Sequence, residues 1–187
     1  LSVGQLIIGH EIKWLRLKKS VSNNIYAKPN KTEKDMHLAQ LNIAKAKYSL
    51  DSAELKEFVD NLIPVNQLAE DSEGFIWRLQ DENGDATSIH AFSDPNIIVN
   101  MSTWASIDTL KNFMFRTHHR DFLRRKSEWF DNIAQDSYVL WWVPLNHIPS
   151  IEEGIARLNY LRDNTDSPYA FTFKSNFNST EANEYKF

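Results

Sequence analysis

The chain predicts an α+β fold of ferredoxin-like layout, an antiparallel sheet carrying helices on one face. Three observations support this. Stretches of two-residue apolar alternation are separated by stretches of helical periodicity. They follow in the order strand, helix, two strands joined by a turn, helix, strand. The composition is that of a globular chain, with 42% hydrophobic and 25% charged residues among 187.

The first strand is expected over 37–48, where Ala39, Leu41 and Ile43 alternate with Gln40 and Asn42. Asp51 with Glu54 has capping-box spacing for a helix whose stripe is Leu55, Phe58, Val59 and Leu62. Pro64 should kink or end it, with a second helical piece to about Ala69. A strand follows over 75–80. Asn83-Gly84 is the strongest hairpin signal in the chain, and 86–92 is expected to return as a strand. Residues 97–104 are rich in β-branched side chains and form the next strand. Ser106 caps one long helix over 106–130. Residues 138–143 form a strand closed by Pro144, and Ser150 with Glu153 starts a helix through Leu161. Residues 170–173 suit a short final strand, and the polar tail from Lys174 is expected to fray.

Three parts follow: an extension or linker over 1–35, a core over 36–173, and a polar tail over 174–187. The first part carries seven Lys/Arg against three Asp/Glu and suits a weakly amphipathic arm or a segment outside the fold, with Met36 resembling a natural start. The chain has no cysteine, which excludes disulfides, thiolate metal sites and cysteine nucleophiles and suits a cytoplasmic setting. A net charge of −4 disfavours nucleic acid as a partner. No apolar run approaches the ~20 residues of a membrane span. His-Glu-x-x-His, phosphate-cradling glycine loops and nucleophile elbows are all absent, and no metal is expected.

Alternation singles out one sheet surface. Gln40, Asn42, Arg78, Asn100, Ser102 and Trp104 fall on the minority phase of three strands. Their amide, hydroxyl, guanidinium and indole groups suit a half-buried pocket wall better than a solvated face, which carries more Lys and Glu. This surface is expected to turn away from the helices, where water or a partner chain covers it. A polar dimer interface, or Arg78 paired with an acidic neighbour such as Asp81 or Glu82, explains the same pattern without a ligand. The strand at Trp141 and Trp142 is apolar on both faces, which points to a second copy covering the sheet. On the long helix, His119 joins a stripe of Phe115, Phe122 and Trp129, where it suits a proton shuttle, a haem ligand or a satisfied partly buried histidine. The basic run 116–126 reads as a salt-laced helix face.

The tracts Met36-His-Leu-Ala-Gln-Leu-Asn, Gly74-Phe-Ile-Trp-Arg-Leu-Gln, Asn100-Met-Ser-Thr-Trp, and Glu128-Trp-Phe followed by Leu140-Trp-Trp-Val-Pro resemble a bacterial domain-of-unknown-function family of the dimeric α/β-barrel superfamily. The likeness runs from about Met36 to Phe173. It implies a ferredoxin-like subunit and back-to-back pairing of two copies into a homodimer, and it implies no established reaction. More distantly, the strand at Asn100 leading into a histidine-bearing helix is similar to antibiotic-biosynthesis-type monooxygenases, which act without a cofactor or, in some relatives, bind haem.

The expected function is a small-molecule enzyme, monooxygenase-like and without a cofactor, with its pocket between the sheet and the long helix 106–130. His119 would move a proton, Arg78 would hold an anionic or enolate oxygen, and Asn100 and Ser102 would hydrogen-bond the substrate. Gln40, Asn42, Trp104, Trp129 and Trp142 would complete the binding surface. The alternatives are a non-catalytic ligand-binding or dimeric structural module, and a haem protein using His119 or His118.

Overall fold

A computed structural model of the chain describes residues 36–186. The expected arm over 1–35 lies outside the described residues. The elements are β1 (Met36–Ala46), α1 (Lys56–Asp60), α2 (Leu62–Glu70), β2 (Phe75–Arg78), β3 (Ile97–Trp104), α3 (Ile107–Arg116), α4 (His119–Trp129), β4 (Phe130–Asp131), β5 (Tyr138–Pro144), α5 (Ile151–Asp163) and α6 (Ser179–Glu184). β3 pairs with both β2 and β1, and β1 pairs on its other side with β5, every pair antiparallel. The spatial order β2-β3-β1-β5 is the ferredoxin-like one. The two-residue β4 prolongs the β5 edge opposite Lys45 and Ala46.

Register decides which side chains meet. Leu38 lies opposite Trp104, Gln40 opposite Ser102, and Asn42 opposite Asn100, so these six share one face. Ala39, Leu41 and Ile43 share the other with Val99, Met101, Val139 and Trp141. The polar residues converge as alternation predicted, but the helical cover is not where it was expected. Leu110 and Phe113 of α3 and Ala69 of α2 pack on the Leu38–Trp104 end of the polar face. Leu55, Phe58 and Trp129 pack on its far end at Ala46. The polar row therefore lies beneath the helices of its own chain. The opposite, mainly apolar face is covered by Leu158 and Leu161 of α5, a helix outside the strand–helix repeat.

That arrangement also accounts for the two-sided burial of β5. Trp141 is fully buried on the α5 side, where its Nε1 donates to Glu153 Oε1 at 2.8 Å. Trp142 points the other way and donates to the Phe177 carbonyl at 2.9 Å. One chain supplies both covers, so β5 no longer argues for a second copy.

Three local departures have local causes. The Asn83-Gly84 turn forms, with Gly84 at φ +85°, but no strand returns over 86–92. The Asp81 and Asp85 carboxylates accept the backbone N–H groups of Asn83 and Thr87 at 2.7 and 2.8 Å and hold this stretch in turns instead of a ladder. Helix α1 starts at Lys56, later than the Asp51–Glu54 spacing implied, because Asp51 accepts from the Ser49 hydroxyl within the preceding turn. The helix expected over 106–130 is two helices. Thr117 is extended (φ −107°, ψ −179°), its hydroxyl donates to the Phe113 carbonyl at 2.6 Å, and the same oxygen accepts the N–H of His119 at 3.2 Å. The tail carries α6, opened by a reciprocal capping box between Asn178 and Glu181.

Helix α5 approaches the sheet at a glycine. A Cβ on Gly154 would lie 2.6 Å from Leu41 Cδ1 and 3.2 Å from Met101 Sδ, both on fully buried side chains. Alanine normally stabilises a helix interior relative to glycine by ~1 kcal/mol, but overpacking a tight core costs ~1–3 kcal/mol. Gly154→Ala is expected to lower stability by about 1 kcal/mol in urea titration; a stabilised variant would show that the helix can move off the sheet at no cost.

Candidate functional site

The polar face is roofed at its two ends and leaves a cavity of about 50 Å³ over its middle. Its floor is Gln40 and Asn42 of β1, Asn100, Ser102 and Trp104 of β3, and Arg78 of β2. Ala69, Val65 and Asn66 of α2 form one wall, with Phe75 at its base. Leu110, Phe113 and Met114 of α3 and His119 at the start of α4 form the other. Asn100 stands exposed at the rim.

Arg78 is the only charged side chain in this lining. Its side chain is 12% exposed, and its Nε donates to Glu70 Oε1 at 2.8 Å. Arg78 is thus ion-paired with an acidic neighbour, Glu70 of α2 in place of Asp81 or Glu82. Nη1 is buried and meets no acceptor among the described residues. A buried donor without a partner costs ~1–3 kcal/mol, so it marks a strained fold or a place for an ordered water or a ligand.

Ser102 is the junction of the floor. Gln40 Nε2 donates to its Oγ at 3.0 Å and Trp104 Nε1 donates to the same oxygen at 2.9 Å. Trp104 is in turn gripped by rings, edge-on to Phe75 at 5.4 Å and stacked on Phe113 at 5.2 Å. Phe113 carries His119 on its other side, the ring centroids 4.7 Å apart. The break at Thr117 is what delivers His119 here, because α4 restarts with a new rotational phase. Burial lowers the His119 pKa, opposed in part by the Met114 carbonyl 3.5 Å from Nδ1. The imidazole is therefore neutral at pH 7. With Nδ1–H directed at Met114, Nε2 carries the lone pair.

Of the residues singled out from sequence, Gln40, Asn42, Arg78, Asn100, Ser102, Trp104 and His119 line one cavity. Trp129 does not. It is buried between Phe58 and Phe122 in a separate cluster, with the Arg125 guanidinium over its ring at 4.9 Å. Trp142 does not either, since its indole is spent on Phe177. Phe115, expected on the His119 stripe, is exposed. Sequence reading missed Phe75, Phe113, Met114 and Asn66. Asn66 had a signal: it interrupts the apolar positions Leu62, Val65 and Ala69 of α2, where a half-buried amide needs a partner. The basic run on α4 is salt-laced as expected, with Arg125 bonded to Glu57 and Glu128.

The profile of a family described as a domain of unknown function (DUF3291) matches residues 37–186. The chain belongs to this family. No curated protein sequence matches this DUF3291 chain. Among solved structures, it is similar to a conserved protein from Methanosarcina mazei Go1, at 13% identity over 60% of this chain and 95% of the other, with a TM-score of 0.40. It is also similar to a protein of unknown function from Nitrosomonas europaea, at 13% identity, 63% and 96% coverage and a TM-score of 0.39. A third is a Chloroflexus aurantiacus J-10-fl protein provisionally named as an antibiotic biosynthesis monooxygenase, at 14% identity, 62% and 98% coverage and a TM-score of 0.36. Among the described residues of the DUF3291 chain, no group of three His, Asp or Glu is placed to hold a metal ion, and no helix is long and apolar enough to cross a membrane.

The lowered His119 pKa carries a stability consequence. The unfolded chain takes up the proton near pH ~6.5, whereas the folded imidazole resists it until lower pH. Stability should fall as pH drops below ~6.5 toward the folded value, and be unaffected by this group above it. His119→Gln should flatten that decline, leaving the smaller share from His37, whose pKa burial also lowers. Urea midpoints at pH 7.5 and 5.5 measure this; an equally steep decline in the variant would mean His119 is solvated.

Proposed function

We propose that this chain is a small-molecule enzyme with monooxygenase-like chemistry in the cavity between the sheet and the α3–α4 pair. The observation that carries the reading is the pairing of opposite tools on one small cavity: a neutral, buried imidazole at His119 and a cationic donor at Arg78 with an unmet N–H. A neutral imidazole accepts a proton from an acidic C–H or O–H of the substrate. The guanidinium, fixed by Glu70 in a dry site, stabilises the enolate or phenolate oxygen that results. Asn100 at the rim and Asn42 behind it offer amides that hold the rest of the ligand. An electron-rich enolate supplies its own electrons to dioxygen. One oxygen atom enters the substrate as a carbonyl, the other leaves as water, and the two hydrogens of the oxidised carbon go into that water, so the overall change needs no bound cofactor.

A second reading, a ligand-binding module without turnover, has its own support. The cavity, about 50 Å³, is well below the ~300–1,000 Å³ of sites that enclose drug-sized ligands, so it admits a small ligand or the reacting end of a larger one. The same size argues against haem. His119 already spends Nδ1 on Met114 and one ring face on Phe113, and His118 is exposed beside Asp121, outside the cavity lining.

Oxygen uptake over a panel of enolisable ketones and phenols tests the enzyme reading. His119→Ala is expected to lower kcat by ~10²–10⁴ on any substrate found. Asn100→Ala, at the rim, should raise KM with a smaller change in kcat. Uptake unchanged in the His119 variant would remove this residue from the mechanism. Binding without uptake across the panel would favour the second reading.

A further inference from the structure

We infer that the floor of the cavity is a seat for a carboxylate, so that the ligand of this site is a small monocarboxylate held jointly by Arg78 Nη1 and the Ser102 hydroxyl. The inference rests on the cavity being a ligand site, and it puts a carboxylate at Arg78 Nη1 where the enzyme reading puts an enolate oxygen.

A serine hydroxyl has two acceptor lone pairs and one proton to donate. Both lone pairs of Ser102 Oγ are taken, one by Gln40 Nε2 and one by Trp104 Nε1. With the Gln40 amide turned this way, the hydroxyl is left with a single role, donation, and no acceptor for it is found among the described residues. Ser102 itself is 7% exposed and lines the cavity. Gln40 and Trp104 are thus positioning residues: they turn an ambidextrous group into a one-way donor. Arg78 lies directly opposite Ser102 in the β2–β3 register, which brings their Cβ atoms to roughly 5 Å. Arginine has no acceptor in any state, and its Nη1 is the second unmet donor. Two donors therefore line the same cavity, on residues paired across β2 and β3. A carboxylate answers both, with one oxygen on each and no hydrogen of its own to clash.

Charge sorts the competing ligands. Glu70 already offsets Arg78, and no other charged side chain lines the cavity. A carboxylate brings the local sum of Arg78, Glu70 and ligand to one negative charge. A phosphate dianion brings it to two, close to a carboxylate and in a poorly solvated site, and is disfavoured. A primary amide has the shape of a carboxylate but turns an N–H toward a fixed donor, which leaves one or the other unpaired.

Binding of propionate, propionamide and inorganic phosphate to the full chain at pH 7.5, by calorimetry, tests the seat. Propionate is expected to bind at least about tenfold more tightly than either competitor, the discrimination of roughly one charge-assisted hydrogen bond. The carboxylate stretching band of 13C-labelled propionate should shift on binding, as seen by isotope-edited infrared spectroscopy. Ser102→Ala should weaken propionate about tenfold, and Ser102→Thr, which keeps the hydroxyl, should restore it. Propionamide binding as well as propionate, phosphate binding more tightly, or Ser102→Ala binding like the parent would each overturn the seat. The wild-type comparison and the infrared band decide the matter even if a variant fails to fold. Oxygen uptake that depends on His119 alongside no carboxylate preference would sink the seat and leave the enzyme reading standing. Carboxylate preference without uptake would do the reverse.

Discussion

The Arg78 guanidinium is clamped beneath helices by one carboxylate and left with an unmet donor, and the rest of the site is organised around that imbalance. Glu70 on α2 takes Nε and fixes the plane of the group. The β-ladder then sets Ser102 opposite it, with Gln40 and Trp104 closing on the serine from either side. An apolar floor of the same size would pack more cheaply under α2 and α3. A fold that keeps a charged, incompletely bonded side chain there gives up stability, which points to function.

The second half of the site depends on a single broken turn. If α3 ran on through Thr117, the stripe Phe115, His119, Phe122 and Trp129 would stay on one face. Thr117 instead bonds back to Phe113 and forward to His119, and the phase resets. Phe115 is left exposed and His119 packs on Phe113 at the cavity, while Phe122 and Trp129, farther along the same helix, pack with Phe58 and Leu55. The same three-ring column, Trp104 to Phe113 to His119, ties the serine junction to the imidazole, so floor and wall are one rigid unit.

These two features show what the amino-acid order reveals and what it hides. Strand alternation is a local property with a period of two, and it correctly grouped Gln40, Asn42, Arg78, Asn100, Ser102 and Trp104 before any pairing was known. The face the helices take is not local. It follows from crossover geometry and from α5, a helix past the last strand that seals the apolar side with Gly154 tight against Leu41. Hence the polar row was expected in the open and lies under cover. The helix break was hidden for a related reason: threonine has a modest helix penalty, and only its hydrogen bonds reveal it as a stop. Trp129 and Trp142, expected on the binding surface, are spent on packing and on a backbone carbonyl instead.

If the unmet donor of Arg78 is held for a ligand, then removing the guanidinium should not harm the empty fold. Arg78→Met keeps most of the apolar stem, relieves a buried donor worth ~1–3 kcal/mol, and forfeits an ion pair with the partly exposed Glu70 worth at most ~1 kcal/mol. The account predicts that the ligand-free variant unfolds at the same urea concentration as the parent or a higher one. A loss of ~3 kcal/mol or more, the cost of breaking a structural buried pair, would show that Arg78 holds the fold together and would contradict its reading as the centre of a binding site.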